Sequence, residues 1–379
     1  MTETQYRLPF GRELCQRLGI RYPIFSAGMD QMAGPELTAA VSNAGGMGVL
    51  GAAGLAPDVL QDWIDQTRSL TSEPFGVDTL LPAGISDRGG LDNLRSSIPP
   101  EYWQAAAEIK ARFDLPDVPG YNGKIPPLTQ EYVSSQIDVI AQNKIPLYVS
   151  GLGDPSPYID QLHKAGTTVM ALIGSLQHAR SVVAGGVDAV IAQGHEGGGH
   201  NSRNALFTLL PSVVEELGQH VPVLAAGGIV DGRGVAAGSM LGASGAWIGT
   251  RFLLTPEARI PGKLKQYMVS DRHREKQPTV ISKYRTGKPV RMMRSVILEE
   301  FEKTGLPPLP MPLMGLVTMP LIEAAQRVER YDLSGWPAGA AIEFIHDIVP
   351  AGDVVAQMVK ETRQLLSSNS TDASVATNG

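Results

Sequence analysis

The segment AQGHEGGGHNSR, Ala192 to Arg203, places four glycines, two histidines and one glutamate directly after a short apolar run. A neutral imidazole takes up and returns a proton near pH 7, a role worth roughly 10²–10⁴-fold in rate when the group is well placed. His200, at the far end of the glycines, is the candidate for that role. The glycines let the backbone pass close to a bound group while His200 still projects inward. His195 and Glu196 share the loop, and Glu196 either orients a histidine or faces solvent. No metal centre is expected, because the His195–His200 spacing is irregular and no further Cys or His ligand lies nearby. No Ser-His-Asp arrangement can be picked out, and Cys15 precedes the first strand, a poor place for a nucleophile.

A second signal lies further along the chain. Gly227-Gly228 precedes Asp231-Gly-Arg-Gly, and Gly249-Thr250 follows the next apolar run. Glycine amides and a helix N-terminus at such positions suit a phosphate group, the dipole alone contributing about 0.3–1 kcal/mol. The competing reading is that these glycines only make tight turns.

These residues need a frame to bring them together. Short apolar runs rich in Val, Ile and Leu predict strands at 22–28, 46–52, 74–81, 145–152, 167–174, 188–194, 221–228 and 245–252. Amphipathic segments of helical length lie between them. Pro35, Pro57 and Pro155 stand where a first helical turn accepts proline, and Gly45, Gly166 and Gly218 where a helix ends. Continuous apolar strands alternating with helices imply a parallel sheet covered on the outside. Eight strands with seven interleaved helical segments favour a (β/α)8 TIM barrel, an α/β fold. A Rossmann sheet would want GxGxxG after the first strand, where this chain reads AGMDQMAG.

Barrel sites lie at the carboxyl ends of the strands. The strand ends here are mostly Gly, Ala and Ser, including Ala27-Gly28-Met29, with Asp78 and Gln193 as polar exceptions. Such a rim leaves space for a flat ligand. The expected organisation is a barrel from 1–83, 129–255 and 335–367, an insertion at 84–128 over its mouth, a smaller cap or substrate domain at 256–334, and a disordered tail at 368–379. Within the cap segment, Arg259 to Arg294 carries 11 Lys/Arg against Asp271 and Glu275.

Composition bounds the function. The 379 residues carry a net charge of −6, which argues against general nucleic-acid binding. One cysteine cannot make an intrachain disulfide, so a reducing, cytoplasmic setting is expected. The longest uncharged run, Thr304 to Ile322, holds five prolines, so no membrane span is predicted there.

The order PIFSAGMDQMAGPELTAAVSNAGGMGVLGA, PFGVDTLLP, GGVDAVIAQGHEGGGH, PVLAAGGI and GAWIGTRFL resembles the nitronate monooxygenase (2-nitropropane dioxygenase) family. The resemblance extends to GKPVRMMRS and to GWPAGAAIEFIHDIVPAGDVV, nearly the whole chain. It implies an FMN-dependent TIM-barrel oxidoreductase, related to flavin-dependent enoyl and quinone reductases. By position, Ala27, Gly28 and Met29 would line the flavin ring, and Asp78 and Gln193 would meet its ring or ribityl polar atoms. Gly198 and Gly199 would pass close to the cofactor. Gly227, Gly228, Gly249 and Thr250 would hold its phosphate. His200 matches the family's catalytic histidine, which accepts a proton from a small-molecule nitronate or holds it, with O2 as co-substrate. The alternative the resemblance carries is a reductase of enoyl or acyl thioesters or of quinones, with NADH or NADPH as reductant and the basic 259–294 stretch gripping a phosphate-rich carrier. A homodimer is a further implication. Asp78 departs from the asparagine common in relatives, and His195 from the usual small or apolar residue.

Overall fold

Alternate residues along each apolar run pack into two separate clusters, and that alternation builds the molecule. Phe25, Met47, Val49, Leu147, Val149, Met170, Ala189, Ile191, Leu224 and Trp247 face one another. Their neighbours Ile24, Leu50, Val77, Tyr148, Val169, Val190, Val223 and Ala246 face the surrounding helices. A strand's side chains point to opposite faces, so a sheet with two such faces is either a covered open sheet or a closed one. Here it closes.

The computed structural model describes residues 8–81, 91–118, 129–270 and 278–372. The barrel strands are β1 (Ile24–Ser26), β2 (Gly48–Gly51), β3 (Phe75–Leu80), β4 (Leu147–Leu152), β5 (Thr168–Ile173) and β6 (Ala189–Gln193). After a two-residue strand β7 (Gly199–His200) come β8 (Val223–Ala226) and β9 (Gly245–Ile248). Their order is β1-β9-β8-β6-β5-β4-β3-β2, every pairing is parallel, and a parallel bridge between Phe25 and Met47 joins the two ends. This is the (β/α)8 barrel expected from the strand count.

The helices between strands begin and end where the local residues dictate. Pro35 and Pro57 open helices Pro35–Asn43 and Pro57–Leu70. Thr129, Ser175 and Asp231 cap three others, each side chain accepting a backbone N–H. The helix Ala351–Asp372 packs back onto the barrel through Val354, Val355, Met358 and Val359.

Two expectations need correction. The eighth barrel strand ends at Ile248, and Thr250–Leu253 is a short helix, because Gly249 already has right-handed helical dihedrals. The C-terminal helix runs through Asp372, past the point where a disordered tail was expected at 368. No glycine or proline interrupts it after Gly352, so the polar side chains leave its backbone hydrogen bonds intact. Residues 373–379 lie outside the described residues.

The segments outside the alternation form a second body of packing. Strands β10 (Thr279–Ser282) and β11 (Val290–Met293) pair antiparallel, and β11 continues onto β7. Helices Pro100–Arg112, Val296–Lys303 and Leu313–Arg327 supply Tyr102, Ile109, Ile297, Phe301, Leu316 and Leu321 to one apolar cluster with Val290 and Met292. The 84–128 insertion therefore shares a core with the 256–334 segment. The Tyr102 hydroxyl donates to the Pro307 carbonyl at 2.7 Å, and Arg112 pairs with Glu300. Residues 82–90, 119–128 and 271–277, which include Asp271 and Glu275, lie outside the described set.

Candidate active site

Strand parity places the candidate residues. Val77 packs outward, so Asp78 beside it faces the barrel interior at the carboxyl end of β3. Its partners in register are Gly51 on β2 and Val149 on β4. By the same alternation Ala27, Gln193 and Gly249 follow the inward residues Phe25, Ile191 and Trp247. The rim is small-residued around one carboxyl and one carboxamide.

Asp78 is 8% exposed, and its Oδ1 has no hydrogen-bond partner although the Gly151 amide faces it. Burial holds this carboxyl well above the usual carboxylate range. A side chain on Gly28 or Gly151 would collide with it, Gly28 against its Cβ and Gly151 against its Oδ1. Leaving a buried oxygen unpaired costs about 1–3 kcal/mol, so Asp78 is a candidate to meet a bound group. Below it, the Tyr148 hydroxyl pairs with Thr79 Oγ1 at 3.0 Å.

The glycine loop leaves β6 at Gln193 and ends as β7. Gly199 has φ of +79°, a conformation that favours glycine, and turns the chain so that His200 enters the β10–β11 sheet opposite Val290. The Gln193 amide donates to the His200 carbonyl at 3.1 Å, and the His200 Nε2 sits 3.1 Å from the Thr286 hydroxyl. Burial first, then the nearby Lys288 and Arg285 charges, pull the His200 imidazole down to about 4. It is neutral across physiological pH, in a positive field.

The other loop residues work on the loop itself. Both Glu196 carboxylate oxygens accept the Leu206 N–H at 3.1 Å, capping the helix Leu206–Leu217, so Glu196 neither orients a histidine nor faces solvent alone. The His195 carbonyl accepts from Asn201 Nδ2 at 2.7 Å and Arg291 Nε at 2.6 Å. His195 and His200 are thus committed to different partners.

At the proposed phosphate end, Gly227 and Gly228 have φ of +103° and +74°, so both turn the chain as well as line the rim. Gly228 is exposed. The first amides of the helix Gly232–Met240 are taken, Gly232 by Glu361 and Arg233 and Gly234 by Asp231. An anion there would meet Gly228, Gly249 and Thr250, not that helix. Thr250 Oγ1 accepts the Gly339 N–H at 2.9 Å, and Gly198 lies against the Ala338–Gly339 backbone, so the returning 335–350 segment closes this side. Met29 is partly buried against the barrel interior and the Leu253, Leu264 and Met268 cluster.

Residue reading along the chain missed Thr286, Arg291 and the two cap strands. Four-residue strands offer too little alternation to register, although 287–295 stood out as a family segment. The basic stretch also changed meaning. Arg259, Lys263 and Arg294 pair with Glu36, Glu329 and Glu299, while Lys265 is buried against the Pro256 and Ala258 carbonyls. Among its described residues, these four cations have partners within the chain, and only Lys265 is buried.

The closed parallel barrel carries a small-residue rim, a buried carboxyl with an unpaired oxygen and a part-buried imidazole on a glycine loop at one end, a lining with which a bound FMN would be compatible. The chain belongs to the nitronate monooxygenase family, whose model matches residues 12–361, and it is an FMN-dependent oxidoreductase. A Mycobacterium tuberculosis protein with a provisional monooxygenase name is 34% identical over 367 residues, 92% of this chain and 95% of its own. A Rhodococcus jostii 5-hydroxy-7a-methyl-1-oxo-octahydroindene-4-carboxyl-CoA dehydrogenase is 33% identical over 292 residues, 77% of this chain and 68% of that one. Among solved structures, the nitroalkane oxidase of Streptomyces ansochromogenes has a TM-score of 0.76 at 29% identity, covering 94% of this chain and 99% of that one. FabK of Thermotoga maritima has a TM-score of 0.72 at 27% identity, covering 95% and 98%. Among the described residues no helix is long and apolar enough to cross a membrane.

Proposed function

We propose that the protein oxidises small alkyl nitronates with O2. The observation that carries this reading is His200, a neutral, part-buried imidazole in contact with Thr286 and near the Lys288 and Arg285 charges. A nitronate is an anion, and two cations near a part-buried imidazole favour binding one. Bound FMN supplies electron transfer between nitronate and O2. This chain's residues do the rest. Ala27, Gly28 and Met29 would border the ring and Asp78 would offer it the unpaired oxygen, while Gln193 tethers the histidine loop through the His200 carbonyl. Gly228, Gly249 and Thr250 would hold the phosphate end, with Gly227 turning the chain, and Gly198 and Gly199 would carry the loop past the cofactor. His200 would hold the nitronate by donating a hydrogen bond from its ring N–H, and a bound anion raises its basicity by offsetting the nearby cations.

Oxygen uptake by the FMN-loaded protein with propionate-3-nitronate and alkyl nitronates tests this. Absence of turnover with full FMN content removes it.

A second reading is an NAD(P)H-dependent reductase of acyl thioesters, favoured by the 33% identity to a carboxyl-CoA dehydrogenase. Anaerobic bleaching of the flavin by NADH or NADPH separates the two. Three of the stretch's basic side chains, Arg259, Lys263 and Arg294, are engaged in ion pairs, which leaves fewer of them for a carrier-binding face on 259–294.

A further inference from the structure

The loop that carries His200 contains Gly194, Gly197, Gly198 and Gly199, and glycines lose more conformational freedom on ordering than any other residue. A base on such a loop stays in place through pins supplied by its surroundings. Several belong to the barrel side: Glu196 to the Leu206 amide, Gln193 to the His200 carbonyl, and the Ala340 N–H to the Glu196 carbonyl at 2.8 Å. One residue reaches the loop from the cap at two places. The Arg291 backbone stands in register with Gly199, next to the Val290–His200 pair. Its guanidinium turns to the loop's other end, where Nε donates to the His195 carbonyl at 2.6 Å. Nη1 donates to Thr279 Oγ1 at 3.1 Å on β10, and Nη2 lies 3.5 Å from His195 Nδ1.

We propose that Arg291 is a positioning residue for His200, clamping both ends of the glycine loop onto the β10–β11 sheet so that the imidazole holds its place over the site. This rests on the reading of His200 as the group that meets substrate. Arginine suits the task because its planar fork directs separate donors at a carbonyl and a hydroxyl, which a lysine's single ammonium cannot span. The guanidinium is half-buried, and the Glu196 carboxylate nearby partly offsets the cost of that burial.

The test uses full-length, FMN-loaded protein in wild-type, R291A, R291K, H200N and R291A/H200N forms. In protein carrying ¹³C-labelled histidine, the His200 ring signal is assigned by its loss in H200N and titrated against pH. With Lys288 and Arg285 unchanged, R291A is expected to raise the His200 midpoint by roughly one pH unit or more as water enters, with R291K between. Turnover of propionate-3-nitronate is expected to fall roughly 10- to 100-fold in R291A through kcat, FMN content unchanged, and by less than about twofold in the H200N background. An unmoved His200 titration in R291A overturns the proposal, as does an R291A loss undiminished in H200N. Loss of both fold and FMN in R291A and R291K alike also overturns it, making Arg291 a residue of the fold at large. The titration needs no substrate, so it stands even where nitronate turnover is absent.

Discussion

His200 Nε2 lies 3.1 Å from Thr286 Oγ1, a contact that joins the barrel's glycine loop to the cap across 86 residues of sequence. Thr286 in turn accepts the Lys288 N–H at 3.3 Å, so imidazole, hydroxyl and the neighbouring ammonium-bearing residue form one unit. Removing the imidazole or loosening its partner should therefore have graded effects. H200N is expected to lower kcat by roughly 10²–10⁴-fold. T286V is expected to lower it by about 2- to 10-fold, the net worth of one hydrogen bond, with FMN absorbance unchanged. Steady-state kinetics on flavin-matched preparations decides; a T286V loss equal to that of H200N contradicts this account.

Two buried groups should bend the stability profile in opposite directions. His200 is lowered from 6.5 to about 4 in the folded protein, so the unfolded chain binds that proton more readily. Its contribution is complete above pH 6.5 and is lost as pH falls through 6.5 to about 4, a change on the order of 3 kcal/mol. Asp78 is raised well above 3.8, so its contribution is complete below 3.8 and is lost as pH rises through the raised value. Thermal melts of FMN-free protein across pH should show H200N flattening the acid limb and D78N flattening the alkaline one. Parallel curves for wild type and both variants contradict it.

The glycines around Asp78 make a sharper prediction. A methyl at 151 meets the carboxyl oxygens, whereas a methyl at 28 meets the Asp78 Cβ itself. Each of G28A and G151A should cost about 1–3 kcal/mol through overpacking. D78A should relieve G151A and leave G28A unrelieved, because only the first collision disappears with the carboxyl. Denaturant melts of the two double-mutant cycles read this directly.

The cap has its own apolar cluster, and Phe301 is fully buried in it. F301A should destabilise the protein by about 3–5 kcal/mol. Because β11 of the same cluster pairs with β7, the variant should also weaken His200-dependent turnover before FMN is released. Limited proteolysis and flavin fluorescence along a temperature ramp test the order of events.

Much of this was legible along the chain. Runs such as PFGVDTLL and DAVIAQG are mostly apolar, which marks strands buried on both faces, and each falls on an observed strand. Their carboxyl ends then name Asp78 and Gln193 as rim residues, since the barrel fold assigns sites to that edge. The loop after β6 announced its histidine through its glycines. Legibility stopped where local pattern stopped. Gly249-Thr250 reads as the continuation of GAWI, and a single residue's dihedrals turn it into a helix start. Glu196 reads as a group that orients a histidine or faces solvent, and the distant Leu206 amide claims it.

The sequence by itself determined the barrel, its order of strands and its small-residue rim, because period, apolar run length and glycine placement are local properties. Tertiary structure alone decided that His200 is neutral, that Thr286 holds it, and that Arg291 reaches His195. Those facts depend on burial and on charges brought together from positions some ninety residues apart. A two-residue strand such as Gly199–His200 has no pattern of its own, and only its pairing with Val290 and Arg291 gives it a place.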